Sequence, residues 1–141
     1  MTIRVAHVVV SMAAMIGAQM AHATPNEDCV KLVQSSADQV KASCGTKEFK
    51  VTCSLGITSG DAAKVPALSK GCQDAAAAVA QKCSAADFKA SVAKINLQGF
   101  NCSVRNKTRI STGGSILNVG YAKDDRDVGS KVVTSITNLA K

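Results

Sequence analysis

Histidine and aromatic residues are scarce in this chain. It has no tryptophan, three phenylalanines and one tyrosine, and its two histidines, His7 and His22, lie near its beginning. From residue 23 onward the sequence therefore has no imidazole. This absence excludes Ser-His-Asp and Cys-His catalytic arrangements and histidine metal sites from that part, and it removes the usual general acid or base near neutral pH. We therefore expect no catalytic residue, no bound metal and no cofactor, and we do not expect an enzyme.

Long apolar runs are also absent, apart from one close to the first residue. Arg4 precedes an apolar run over residues 5–16, and Ala21 and Ala23 supply the small residues that signal peptidase accepts. The run is too short to cross a hydrocarbon core of roughly 30 Å. We predict a signal peptide over residues 1–23, cleaved after Ala23, and a single domain over residues 24–141 with no transmembrane segment. Loss of Arg4 lowers the formal net charge of +7 by one, so the domain stays basic.

Six cysteines are the most informative residues that the chain does contain. An even number of cysteines in an exported chain predicts a set of disulfides, because the compartment is oxidising. A structural zinc site would need four scattered thiolates, since no Cys-x-x-Cys pair occurs. We expect a periplasmic or secreted protein with three bridges among Cys29, Cys44, Cys53, Cys72, Cys83 and Cys102.

The hydrophobic periodicity predicts the element order α-β-α-α-β-β-β-α. The clearest helical stripe repeats every three or four residues, and the segment after it alternates with period two, which is typical of a half-buried strand. A Gly113-Gly114 pair between two alternating segments predicts a hairpin turn. Caps are predicted at Asn26, at Ser84 and at Asp124 or Asp125. The expected fold class is α+β, with helices packed on a small antiparallel sheet. The predicted inward stripes are Cys29, Val33, Ala37, Val40 and Cys44 in the first helix, and Val128, Val132, Ile136 and Leu139 in the last.

The predicted helices restrict the disulfide pairing. A continuous helix would separate Cys29 from Cys44 by about 22 Å and Cys72 from Cys83 by about 16 Å, whereas bridged Cα atoms lie within about 7 Å. Neither pair can therefore bond internally. A strand that runs back along the first helix from its end brings Cys53 level with Cys29, and we predict a bond between these two.

A basic segment is the best candidate for a contact surface. Arg105, Lys107 and Arg109 alternate, so on one strand they would project from one face. The alternative interpretation is an edge strand whose charges prevent aggregation. Nucleic acid is not an expected partner, because the aromatic residues that would stack on bases fit the core pattern. An acidic protein or an anionic envelope component is expected instead.

Two other patterns resemble catalytic or metal-binding motifs. Ser91 and Lys94 share the Ser-x-x-Lys spacing of some serine hydrolases, but the other elements of those enzymes are absent. Asp124, Asp125 and Asp127 form an acidic cluster, and Asp125, Asp127 and Gly129 resemble a calcium loop with the wrong spacing. Helix capping explains these aspartates better.

The leading hypothesis is an exported, non-catalytic binding protein of the inhibitor, immunity or accessory type. One alternative is a structural or assembly component of the cell envelope, and another is an atypical hydrolase that uses the Ser-Lys pair. The sequence leaves the oligomeric state open, and it leaves open whether the glycosylation triplets at Asn101 and Asn106 are used.

Overall fold

The computed structural model describes residues 23–141, so the predicted signal peptide lies outside the described residues apart from Ala23. The predicted order of four helices and four strands is confirmed. A short 3-10 helix, Ser59–Lys64, precedes the second helix. The helices are α1 Pro25–Cys44, α2 Val65–Lys82, α3 Ala86–Lys94 and α4 Val128–Leu139, and the strands are β1 Lys50–Ser54, β2 Gly99–Val104, β3 Arg109–Gly113 and β4 Ile116–Tyr121.

The sheet is mixed, and the expectation of a wholly antiparallel sheet was wrong in this respect. The strand order is β1-β2-β4-β3. β1 and β4 both run parallel to β2, and only β3 and β4 pair antiparallel, through the predicted turn after Gly113. The physical reason is connectivity. Helices α2 and α3 carry the chain back between β1 and β2, and such a crossover gives parallel strands, whereas period-two alternation is the same in both directions.

All four helices lie on one side of the sheet, and the other side faces solvent. The buried side carries Val51, Phe100, Leu117, Val119 and Tyr121, each at most 9% exposed. The residues that alternate with them along the same strands, such as Thr52 and Asn101, point to the other face and are exposed. The fold therefore has two layers, and it leaves one sheet face uncovered. None of the described helices is long and apolar enough to cross a membrane.

The three disulfides join different elements, as the helix lengths require. Cys29 of α1 bonds to Cys53 of β1, which confirms the predicted pair. Cys72 of α2 bonds to Cys102 of β2, so two bridges fasten the helical layer to the sheet. The third bridge, Cys44–Cys83, ties the end of α1 to the end of α2. These bridges offset the small aromatic content of the core.

Predicted helix caps and one predicted core position differ from the structure. Thr24 rather than Asn26 caps α1, and its hydroxyl accepts a hydrogen bond from the Glu27 amide (3.2 Å). The Asn26 side chain instead accepts from the Leu55 amide (3.0 Å), which fixes α1 against the end of β1. Ser84 makes no capping box, since Ala85 holds the cap position of α3. Leu139 is 44% exposed because α4 ends there.

Helix α2 approaches the sheet closely at Gly71. A Cβ atom at this position would lie 2.3 Å from the ring of Tyr121. The ring is fully buried, and its hydroxyl donates to the carbonyl oxygen of Leu68 (2.6 Å). Burial raises the pKa of Tyr121 to about 12. The missing side chain at Gly71 is therefore what lets this tyrosine pack under α2.

Candidate contact surface on the open sheet face

Arg105, Lys107 and Arg109 form a basic cluster, although they do not share a strand as predicted. β2 ends at Val104, and Arg109 is the first residue of β3. The chain between them must pass the end of β4, because β4 lies between β2 and β3 in the sheet. Arg105 and Lys107 therefore lie in a connecting loop, residues 105–108.

This loop brings the basic cluster together on the open face. The Arg105 amide donates to the Tyr121 carbonyl at the end of β4 (2.8 Å). The three side chains line one open depression of about 430 Å³, together with Ser103, Ser111, Asn118 and Gly120. The prediction of one strand was wrong, but the structure places the three residues on a common surface.

Asp125 holds the loop in position from the segment between β4 and α4. Its carboxylate accepts hydrogen bonds from the Thr108 hydroxyl (2.5 Å) and from the Asp127 amide (2.8 Å). Lys131 forms an ion pair with the same carboxylate (2.6 Å). The Lys131 and Thr108 hydrogen bonds, followed by that of Asp127, lower the pKa of Asp125 to about 2. Asp125 therefore remains ionised at neutral pH and fastens the basic loop to the start of α4.

The Arg105 side chain lies across the sheet because Gly120 leaves room for it. A Cβ at Gly120 would lie 3.0 Å from the Arg105 Cγ. The Arg105 Nε donates to the Ser103 hydroxyl (3.2 Å). This hydrogen bond uses one of the five N–H groups of the exposed guanidinium, and the others stay available to a ligand.

A row of polar side chains crosses the sheet beside the basic cluster. Thr52, Asn101, Asn118 and Ser111 occupy matching register positions on the four strands. The Thr52 hydroxyl donates to the Asn101 carbonyl oxygen (3.0 Å), and the Asn101 amide nitrogen donates to the Asn118 carbonyl oxygen (3.3 Å). We call these four residues the amide row. It spans about 14 Å, given a strand spacing of ~4.8 Å.

The basic residues of the cluster make no ion pair with the described residues. Four ion pairs occur in the described part of the chain, and none of them involves Arg105, Lys107 or Arg109. No carboxylate lines the depression. Arg109 lies on β3, which is an edge strand, so its charge fits the alternative interpretation of an edge protected against aggregation. Edge protection does not account for Arg105 and Lys107, since both lie outside any strand.

The other sequence motifs lie apart from this surface or serve structure. The Ser91 hydroxyl donates to the Asp87 carbonyl within α3 (3.2 Å). Asp127 holds the cap position of α4 without a side-chain cap bond, so the predicted cap at Asp124 or Asp125 was wrong. Among residues 23–141, no three His, Cys, Asp or Glu side chains gather in a way that could hold a metal ion.

Sequence reasoning missed the amide row and the role of Asp125. Period-two alternation does indicate that Thr52, Asn101 and Asn118 face away from the core. Their alignment depends on strand register, which alternation does not fix when the strands are distant in sequence. The sequence favours a helix cap at Asp125, because its partner Thr108 lies 17 residues earlier in a different loop.

Comparisons with protein-family models, with curated proteins and with solved structures find no match to this chain.

Proposed function

We propose that this protein is an exported, non-catalytic binding protein whose contact surface is the open sheet face around the basic cluster. The observation that carries the proposal is the convergence of three exposed cations on an uncovered polar face, in a depression that no carboxylate lines. Such a surface attracts partners that bear carboxylate, sulfate or phosphate groups, and it repels basic ones.

The disulfides support this proposal in two ways. They fit an oxidising compartment such as the periplasm or the extracellular space. Two of them, Cys29–Cys53 and Cys72–Cys102, also fasten the sheet to the helices behind it, so the exposed face is presented on a rigid support. A preorganised face loses little conformational entropy when it binds.

A pull-down with the mature domain tests the proposal. Residues 24–141 are immobilised and incubated with the secreted and envelope fraction of the source organism. The test variant changes Arg105, Lys107 and Arg109 to Glu, and the matched control changes Lys31, Lys41 and Lys94, which are exposed on the helical layer, to Glu. Circular dichroism and thermal unfolding establish that both variants are folded.

The expected result is a partner that elutes with increasing salt, is lost in the test variant and is retained in the control. If the test variant retains the same partner at the same salt concentration, the basic cluster is not the contact surface and the proposal is wrong.

A further inference from the structure

We infer that the partner of the open face is an acidic polysaccharide, whose sugar hydroxyls pair with the amide row and whose carboxylate or sulfate groups pair with the basic cluster. This inference rests on the proposed function and names the ligand class of the same surface. It depends on the side-chain chemistry of the amide row as well as on charge.

The amide row offers the hydrogen-bonding groups that sugar hydroxyls need. A hydroxyl both donates and accepts, and an amide side chain presents two donors and a carbonyl oxygen with two lone pairs. The row itself uses one donor and one acceptor of Asn101, which leaves the same number for a ligand. Asn101 and Thr52 are exposed on the sheet, so these groups are accessible.

The open face lacks the anchors of a typical protein interface. Protein interfaces depend on buried aromatic and apolar side chains near their centre. Here Phe49, Phe100 and Tyr121 are buried under the helices. Ile116 lies on the open face, but it is partly buried and packs over Gly99, where a Cβ would lie 3.2 Å from its Cδ1. A hydroxyl-rich ligand fits this face better than an apolar protein patch.

The shape of the surface favours a polymer over a single small anion. The depression is open, and its cations are exposed to solvent, so each ion pair with a ligand adds little to the affinity. Affinity must then come from several contacts at once. A chain of sugars bound along the amide row would cover about 14 Å. In that position it would also contact the basic cluster, because Asn118 and Ser111 line the same depression. Clusters of Lys and Arg are a known feature of surfaces that bind heparin-like polymers.

Binding to defined polymers tests the inference. The mature domain is titrated with heparin, with polygalacturonate, with polyglutamate as an acidic polypeptide and with dextran as a neutral polysaccharide. Three variants are compared with the native protein. The first changes Arg105, Lys107 and Arg109 to Gln, the second is Asn101→Ala, and the third, the control, changes Lys31, Lys41 and Lys94 to Gln.

We expect both acidic polysaccharides to bind more tightly than polyglutamate, and dextran not to bind. Loss of the three charges should weaken polysaccharide binding about tenfold or more. Asn101→Ala should weaken it about fivefold, which is the effect of one hydrogen bond, and should leave polyglutamate binding unchanged. The Lys31, Lys41 and Lys94 to Gln variant should bind like the native protein.

Two results would overturn the inference and leave the proposed function intact. The first is that polyglutamate binds as tightly as the polysaccharides. The second is that Asn101→Ala changes neither the affinity for the polysaccharides nor the affinity for polyglutamate. If none of the polymers binds but the pull-down partner still depends on the basic cluster, the ligand class is wrong and the contact surface is right. If none of the polymers binds and the pull-down partner also binds the variant that lacks the three basic residues, both proposals are wrong.

Discussion

Removing the Asp125 carboxylate should release the basic loop from the body of the domain. This carboxylate receives bonds from three separate places: Thr108 in the loop, the Asp127 backbone and Lys131 of α4. Thr108 also accepts a hydrogen bond from the Ala122 amide (3.1 Å). The loop is therefore held at Thr108 by two hydrogen bonds, one to Asp125 and one from Ala122. Asp125→Ala should therefore lower stability and also free residues 105–108.

The size of the effect follows from these three bonds. A net contribution of about 1 kcal/mol for each gives a loss of about 3 kcal/mol for Asp125→Ala. Asp125→Asn keeps an acceptor for the Asp127 amide but loses the charge that Lys131 requires. We expect about half the loss for this variant. Asp124→Asn is the matched control, because it removes the same charge from the adjacent, exposed residue and should change stability little.

Urea unfolding at several pH values provides the assay. Folding lowers the pKa of Asp125 from 3.8 to about 2, so the native state stabilises the carboxylate. The contribution of the ionised carboxylate to the free energy of unfolding is complete well above pH 4, and it is lost as the pH falls through about 2. The difference between the native protein and Asp125→Asn should therefore shrink over this range. The reasoning is refuted if Asp125→Asn and Asp124→Asn are equally stable at pH 7, or if hydrogen exchange at residues 105–108 is unchanged in Asp125→Ala.

Four further predictions concern the core, the bridges and the leader. Gly71→Ala should lower the free energy of unfolding by about 2 kcal/mol, because its Cβ overlaps the Tyr121 ring; an unchanged urea midpoint would contradict this packing. Tyr121 is the sole tyrosine, so phenolate absorbance should titrate near pH 12 in the native protein and near 10 in urea, and native stability should fall as the pH rises above 10. Replacing Cys29 and Cys53 together by Ser should cost about 3 kcal/mol, whereas non-reducing peptide maps that link Cys29 to another cysteine would refute the pairing. The mass of the exported protein should correspond to cleavage after Ala23, and retention of residues 1–23 would refute the predicted leader.

Local patterns in the sequence determined much of the fold. The stripe from Cys29 to Cys44 is buried along its whole length, because side chains at intervals of three and four share one helix face. The alternation through Val51 and Cys53 likewise placed Cys53 against α1. Helix length then excluded a bond between Cys29 and Cys44, and a strand that runs back along the first helix predicted the Cys29–Cys53 pair.

The tertiary structure alone decided strand direction and the composition of the candidate contact surface. Period-two alternation assigns a side chain to one face of a sheet, but it does not say whether neighbouring strands run parallel. The crossover through α2 and α3 made β1 and β2 parallel, and the path of loop 105–108 past the end of β4 gathered the basic cluster. Thr52, Asn101 and Asn118 became one row because register aligned residues from three distant segments. The sequence alone determined that Arg105, Lys107 and Arg109 were candidates, and long-range pairing decided what lies beside them.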